Sequence, residues 1–243
     1  MVLVYRKSFP ILSFHLNPSG KARMTSLAYF FQEMAYQHAS QLGFGYRELK
    51  RNSTMWVLSR MKIEVMRYPV WDEVVTMETW HRGMERLFGM RDFRIRDSEG
   101  FDLALAESAW LILDVATRRP VRTADPSFLG SSRKERVFDT SLEKIDLPEN
   151  MVSVGKHAVV YSDLDVVGHV NNVKYMEWCI DMLLHPGQPV EEIKGLEINF
   201  MHEAHPGETV VVSGSAQAGG IYYYTGHLES GGPEVFRARL RKD

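Results

Sequence analysis

Two stretches of sequence decide the fold: SFHLNPSGKARMTSLAYFFQEM at Ser13–Met34 and SDLDVVGHVNNVKYMEWCIDM at Ser162–Met182. When Gly20 is placed on Gly168, similar residues coincide along both stretches. The coinciding pairs are Asn17 with Asp165, Phe30 with Trp178, Glu33 with Asp181, and Met34 with Met182. An internal repeat changes the expected fold of a whole chain. We therefore expect the 243 residues to contain two copies of one unit.

Each copy places a helix before a series of strands. Ala22–Leu42 carries apolar residues at steps of three and four, which predicts a helix, and Asn172–Leu184 repeats the pattern. After each helix the period drops to two, which is typical of half-buried strands. The predicted strands are Met61–Pro69, Glu73–His81, Leu87–Arg96 and Phe101–Val115 in the first copy, then Leu196–Glu203, Glu208–Gln217, Ile221–Glu229 and Glu234–Arg241 in the second.

This order predicts an α+β fold in which an antiparallel sheet wraps around one long helix, twice over. Pro69 and Pro206 are expected to close corresponding strands of the two copies. A further strand, Lys156–Tyr161, is predicted just before the second helix. We expect a first domain at residues 1–130, a polar connector at 131–154 and a second domain at 155–243.

The composition excludes several classes of function. Lys and Arg total 29 against 31 Asp and Glu, so no basic excess suggests a nucleic-acid partner. The one cysteine, Cys179, excludes an intrachain disulfide and a cysteine zinc cluster, and its place in the second helix predicts a core residue. No apolar run approaches ~18 residues, so no membrane span is predicted. The chain start does not resemble a secretion signal, and we expect a cytoplasmic protein.

The stretch richest in candidate functional side chains is YSDLDVVGHVNNVKYMEW at Tyr161–Trp178, just before and within the second helix. Asp165, His169, Asn171 and Asn172 lie close together in sequence there, and we expect Asn171 and Asn172 to contact the substrate. Two interpretations stay open. An asparagine can simply cap the helix. Alternatively, the free amides of the helix start bind an oxyanion while a carboxylate and an imidazole activate water. The first copy has Asn17 and Lys21 in the matching places, so only the second copy would be active.

A second polar cluster, MHEAH at Met201–His205, lies at a strand end. It lacks one residue of the zinc-binding H-E-x-x-H pattern. On a strand, Glu203 and His205 would share a face that His202 does not, so no metal is expected. Glu203 could instead supply a second carboxylate, or the cluster could be solvated surface. Motifs for a serine nucleophile, a phosphate loop or a dinucleotide are absent from the sequence, and we expect no cofactor.

SDLDVVGHVNNVKYMEW resembles the loop and helix of the acyl-acyl carrier protein (acyl-ACP) thioesterases of plants and bacteria. RYPVWDEVVTMETW (Arg67–Trp80) and LEINFMHEAHPGETV (Leu196–Val210) resemble strand–turn–strand segments of the same family. The resemblance implies a tandem hotdog fold and hydrolysis of a fatty acyl thioester, which would release fatty acid and end chain elongation. It assigns the catalytic roles to Asp165, His169 and Glu203. Either Glu203 or Asp165 would activate water, and direct attack of Asp165 on the thioester carbonyl to give an anhydride stays open. The family has an asparagine at Val167 and often a cysteine at Ala204, so this chain departs from it twice.

The resemblance implies acyl carrier protein as the partner, with the chain as a monomer or homodimer. Three basic runs, Arg118–Arg122, Arg133–Arg136 and Arg237–Lys242, could face that acidic carrier or simply be solvated. An acyl-coenzyme A thioesterase and a non-catalytic acyl-binding module, which Val167 favours, stay open as alternatives. The residues Met24, Phe31, Met61 and Ile63 could line an acyl slot, although we expect most of them to be plain core.

Overall fold

The computed structural model describes residues 3–121, 132–183, 193–229 and 231–242. The chain forms two compact units, Met1–Leu142 and Glu143–Asp243. Among the described residues, no helix has the length and apolar character needed to cross a bilayer.

The first unit is an antiparallel sheet with one long helix. Its strand order is β1-β3-β4-β5-β2. Its elements are β1 Tyr5–Pro10, α1 Met24–Gln41, α2 Tyr46–Arg51, β2 Thr54–Val65, β3 Val74–Glu85, β4 Phe88–Arg96 and β5 Asp102–Asp114. A short 3-10 turn, Ser13–His15, lies between β1 and α1.

Within its described residues, the second unit repeats this arrangement with one α-helix. Its order, β6-β8-β9-β10-β7, follows the same path through an antiparallel sheet. The elements are β6 Val152–Ala158, α3 Asn172–Leu183, β7 Ile193–Phe200, β8 Thr209–Gln217, β9 Ile221–Leu228 and β10 Glu234–Lys242. A 3-10 turn, Tyr161–Asp163, again precedes the helix. The predicted repeat of helix and antiparallel sheet is confirmed. Leu184, the predicted last residue of the second helix, lies outside the described residues.

The helix face predicted in the first unit is the buried one. Met24, Leu27, Phe31, Met34, Ala35 and His38 are all buried. Phe31 packs on Phe93 of β4 with ring centroids 5.1 Å apart. Met61 and Ile63 of β2 are also buried. The helix ends where predicted, because Gly43 adopts a φ of +84° that favours glycine. In the second unit, Cys179 is buried, as predicted, and burial raises the pKa of its thiol.

Several elements differ from the sequence prediction. β2 is Thr54–Val65 rather than Met61–Pro69, and β7 is Ile193–Phe200 rather than Leu196–Glu203, so Glu203 lies after the strand. β1 is not predicted because its residues are mostly exposed, so the strand lacks alternating hydrophobicity. α2 is six residues long, too short for a helical period to be visible. β6 is Val152–Ala158 rather than Lys156–Tyr161, and Tyr161 instead begins the 3-10 turn. β6 is exposed at most positions, which again removes the alternating pattern.

The segment at 132–142 packs on the first unit. The indole Nε1 of Trp80 donates to the Glu135 carbonyl at 2.9 Å, and Arg60 donates to the Leu142 carbonyl at 2.6 Å. The Lys62 ammonium lies 4.6 Å from the centre of the Phe138 ring. The division into residues 1–130, 131–154 and 155–243 stays a prediction.

The sheet of the first unit buries a group of charges. Arg82 on β3 lies 2.5 Å from Glu107 of β5 and 3.5 Å from Asp92 of β4, and all three side chains are buried. Arg136, from the segment at 132–142, lies 3.6 Å from Glu107. Burial raises the pKa of Asp92 to about 7 and also raises the pKa of Glu107. Water cannot stabilise these charges, so the groups depend on one another.

Candidate active site

The loop before α3 is closed by the side chain of Asp165. Its Oδ1 atom accepts hydrogen bonds from the backbone N–H groups of Val167 at 2.9 Å and His169 at 3.2 Å. The Asp165 N–H donates to the His169 carbonyl at 2.8 Å, and Gly168 turns the chain with a φ of +85°. These bonds fix the direction in which His169 leaves the loop, because its own backbone is held at both the N–H and the carbonyl.

The first unit contains the same loop with different side chains. Asn17 Oδ1 accepts from the N–H groups of Ser19 at 3.0 Å and Lys21 at 3.2 Å. The Asn17 N–H donates to the Lys21 carbonyl at 2.8 Å, and Gly20 has a φ of +77°. An amide oxygen therefore closes this loop as well as a carboxylate does. The loop geometry alone does not explain the charge on Asp165.

The start of α3 is partly capped. Asn171 Oδ1 accepts from the Val173 N–H at 2.9 Å, and the Asn171 carbonyl accepts from the Lys174 N–H at 2.8 Å. Asn171 is therefore the helix cap that one of the two sequence interpretations predicted. Within the part of the chain that the structure describes, no group accepts a hydrogen bond from the Asn172 N–H. This amide is open to a ligand at the positive end of the helix dipole.

Glu203 and His169 meet although they come from separate segments of the chain. The Nδ1 atom of His169 lies 3.2 Å from Oε1 of Glu203, with side-chain exposures of 17% and 30%. Both groups are half-buried, so they are held in place and still reached by water. The Val170 N–H donates to the Ala204 carbonyl at 3.2 Å, which ties the loop to the segment that carries Glu203.

Tyr175 of α3 supports the segment after β7. Its hydroxyl oxygen accepts from the Ala204 N–H at 3.1 Å. Burial raises the pKa of Tyr175, and the nearby charges of Glu203, Glu208 and Asp165 act in the same direction. The carboxylates of Glu203 and Asp165 therefore both lie within electrostatic range of one phenol. The sequence analysis did not single out Tyr175.

The correspondence between the two units after the helices differs from the predicted one. Glu73 Oε2 accepts from the Val70 N–H at 2.9 Å, and Glu208 Oε2 accepts from the His205 N–H at 2.7 Å. This equivalence pairs Glu73 with Glu208, so the predicted pairing of Pro69 with Pro206 is wrong. Under this equivalence, Glu203 of the second unit corresponds to Tyr68 of the first unit, and Tyr68 is buried. The prolines misled the alignment because they occupy different positions of the same turn.

The two departures from the family pattern have different surroundings. Val167 is 40% exposed, and its backbone N–H still binds Asp165, so the loop does not need an asparagine there. The matching Ser19 adds a side-chain bond to Asn17 at 2.7 Å, which Val167 cannot make. Ala204 is fully buried and is held through its backbone.

A second histidine–carboxylate pair was not predicted. His157 Nε2 of β6 lies 2.9 Å from Oδ2 of Asp163, and the His157 ring stacks on Trp178 with centroids 4.2 Å apart. In the first unit, Phe9 and Phe30 occupy the equivalent positions, with ring centroids 5.2 Å apart. The alignment of Gly20 with Gly168, extended back to β6, places His157 on Phe9 and Trp178 on Phe30. It would therefore have drawn attention to His157 and its neighbour Asp163.

Two of the three basic runs have arginines in internal ion pairs. Arg133 pairs with Glu135. Arg237 pairs with Glu234 at 2.8 Å, and Arg239 pairs with Glu197 at 2.7 Å. Arg122, at the end of the first run, lies outside the described residues. These pairs lower the charge that the runs offer to an acidic surface.

Comparisons with known proteins agree with this arrangement. The family model for the acyl-ACP thioesterase N-terminal domain matches residues 2–128, and that for the C-terminal domain matches residues 149–233. A chloroplastic palmitoyl-acyl carrier protein thioesterase of Gossypium hirsutum is 30% identical over 83% of this chain and 52% of the relative. A chloroplastic dodecanoyl-[acyl-carrier-protein] hydrolase of Umbellularia californica is 28% identical over 98% of this chain and 67% of the relative. The chain thus spans about half to two thirds of the length of these relatives.

Solved structures match along the whole chain. An acyl-ACP thioesterase from Bacteroides thetaiotaomicron has a TM-score of 0.89 at 25% identity and covers 99% of this chain and 98% of its own. A 12:0-ACP thioesterase from Umbellularia californica has a TM-score of 0.88 at 25% identity, covering 100% and 98%. The predicted double hotdog fold is confirmed by these matches. The chain belongs to the acyl-ACP thioesterase family.

Proposed function

We propose that this protein hydrolyses fatty acyl thioesters carried on acyl carrier protein, releasing free fatty acid and ending chain elongation. The observation that carries the proposal is the contact between His169 and Glu203, 3.2 Å apart, beside a helix start with an open amide. The relatives named as acyl-ACP thioesterases and hydrolases support the class of substrate.

Glu203 is the general base of this proposal. Its carboxylate is 30% exposed and lies against an imidazole, so a water molecule can reach it while its orientation is held. Asp165 is less suited to attack the carbonyl, because its Oδ1 atom already accepts two backbone hydrogen bonds. Asp165 instead holds the loop and contributes negative charge near Tyr175.

The proposed reaction proceeds in two steps. Water adds to the thioester carbonyl carbon as Glu203 takes its proton, and the Asn172 N–H binds the oxyanion. The tetrahedral intermediate then expels the thiolate of the phosphopantetheine arm, which takes up the proton from Glu203 by way of His169. The products are a fatty acid and the free thiol of the carrier. Asn171 acts only through the helix start that it caps.

A cytoplasmic location is part of the same proposal, and neither nucleic acid nor membrane has a role in it. The plant relatives are named as chloroplastic. Separating cell fractions and following the protein with an antibody would test this location.

The test measures thiol release from acyl-ACP and from acyl-coenzyme A bearing the same acyl chain, across several chain lengths. We expect a higher kcat/KM with acyl-ACP. Glu203→Gln should lower kcat about 100-fold or more, because it removes the base while keeping the shape. Glu197→Gln is the matched control, since Glu197 forms an exposed ion pair with Arg239 on the same unit.

Three outcomes would contradict the proposal. The first is faster turnover of acyl-coenzyme A, which would favour that carrier. The second is tight acyl-thioester binding with no thiol release, which would indicate a binding module. The third is a wild-type rate in Glu203→Gln with an intact fold.

A further inference from the structure

We propose that His169, Glu203 and His205 form a binding site for a divalent transition-metal ion such as Zn²⁺, and that occupancy of this site inhibits the enzyme. The inhibition rests on the proposed function, whereas the metal binding does not. The expectation of no metal came from the MHEAH segment alone, which supplies two of these three side chains. The third, His169, comes from the loop before α3.

The three side chains converge. Each offers one ligand atom, and these atoms all lie within 4.8 Å of one another. His169 and Glu203 already contact each other at 3.2 Å, and the rings of His169 and His205 meet edge to face with centroids 4.9 Å apart. Ligands of a tetrahedral zinc ion lie roughly 3.3 to 3.6 Å apart, given bonds of about 2.0 to 2.2 Å. Closing the site therefore requires a shift of about 1 Å.

His205 can make that shift, because its side chain is exposed and its place in the chain is fixed through the backbone. Its N–H donates to Glu208 Oε2 at 2.7 Å, independently of the imidazole. Two imidazoles and one carboxylate are a donor set that zinc prefers, and a fourth position stays open to water on the exposed side.

The neighbouring His202 is excluded from the site. Its Nδ1 atom lies 2.9 Å from the Glu234 carbonyl on β10. The segment thus directs one histidine to the sheet and the other to the loop. This gives a matched pair of variants within one short segment.

Metal binding would inhibit the proposed reaction for a direct reason. A metal ion held by Glu203 uses the carboxylate that would take a proton from water. The same ion holds His169, which orients Glu203. Zn²⁺ should therefore compete with catalysis rather than assist it.

The experiment uses the whole chain, freed of metal with a chelator, and the metal ions alone as probes. Calorimetry with Zn²⁺ and visible absorption with Co²⁺ report binding without any substrate. We expect one equivalent of tightly bound ion, with tetrahedral Co²⁺ absorption. His205→Ala should weaken binding at least about 10-fold, whereas His202→Ala should bind as the wild type does.

Hydrolysis is measured in parallel over a range of Zn²⁺ concentrations. We expect half-inhibition of the wild type at the concentration that half-fills the site, and at least about 10-fold more Zn²⁺ for His205→Ala. Equal Zn²⁺ binding by His205→Ala and His202→Ala would overturn the site. Unchanged or faster hydrolysis at full occupancy would overturn the inhibition. If the chain hydrolyses no thioester at all, the proposed function fails, and the Co²⁺ spectra still decide the metal site.

Discussion

The loop Asn17–Lys21 and the loop Asp165–His169 share a backbone and differ in chemistry. In both, one side-chain oxygen accepts from the residues two and four positions later, and a glycine with positive φ completes the turn. The first unit has an amide at Asn17, an ammonium at Lys21 and, at the position equivalent to Glu203, the phenol of Tyr68. The second unit places a carboxylate, an imidazole and Glu203 in the equivalent positions.

This difference teaches which parts of the loop are structural. The loop conformation that the two copies share is explained by hydrogen bonds to backbone N–H groups. The first unit forms the same loop without an acidic side chain. What only the second unit has, namely the negative charge of Asp165, the imidazole of His169 and the carboxylate of Glu203, is not needed to form the loop and is where chemistry is expected. The following experiments test that separation.

The largest expected effect concerns the residue that follows the glycine of each loop, which is Lys21 in the first unit and His169 in the second. His169→Ala should lower kcat/KM about 100-fold, because Glu203 loses the group that orients it. Lys21→Ala, at the equivalent position, should leave kcat/KM unchanged. Both variants are assayed for thiol release from acyl-ACP. Equal losses in the two would mean that the comparison between units does not locate the chemistry.

The next effect concerns the buried charges of the first unit. Because the pKa of Asp92 is raised to about 7, the folded chain binds a proton that the unfolded chain releases above about pH 4. That stabilisation is fully present below about pH 4 and is lost as the pH rises through 7. We expect the free energy of unfolding to fall about 2 kcal/mol more in the wild type than in Asp92→Asn between about pH 5 and pH 8.

Urea unfolding at the two pH values measures this difference. Asp114→Asn is the control, since a hydrogen bond from the Thr117 N–H lowers the pKa of Asp114 and keeps its titration below this range. An identical pH dependence in the wild type and Asp92→Asn would show that Asp92 is ionised in the folded protein throughout.

The smallest expected effect distinguishes the negative charge of Asp165 from its role in closing the loop. Asp165→Asn should keep the free energy of unfolding within about 0.5 kcal/mol of the wild type, because Asn17 closes the same loop with an amide. Its kcat/KM should fall about 10-fold, the size expected for losing one partly screened charge near the site. Asp165→Ala, in contrast, should cost about 1 kcal/mol of stability. Full activity in Asp165→Asn would reduce Asp165 to a loop residue.

The sequence was sufficient for the features that depend on local pattern. The spacing of Met24, Phe31 and His38 predicted the buried helix face, and Gly43 predicted its end. The exposed edge strands β1 and β6 could not be predicted in full, because strands open to water need no alternating hydrophobicity.

The candidate site was predicted only in its parts. The loop residues were visible because they are neighbours in sequence. Glu203 was a candidate second carboxylate from the MHEAH segment, and the family resemblance assigned it a catalytic role. The contact of His169 with Glu203 depends on where β7 ends relative to the loop, and the open amide of Asn172 depends on the hydrogen bonds of the helix start. The wrong pairing of Pro69 with Pro206 shows that turn prolines do not determine this register.

The segment at 132–142 has a consequence for separating the halves of this protein. A first half that stops at residue 130 would leave the Trp80 indole without the carbonyl of Glu135 and would strip Arg136 from the buried carboxylates. The sheet of this shortened half would expose the buried carboxylates and the Trp80 ring to solvent. Anyone dividing the gene should therefore cut after Leu142, where the first unit ends.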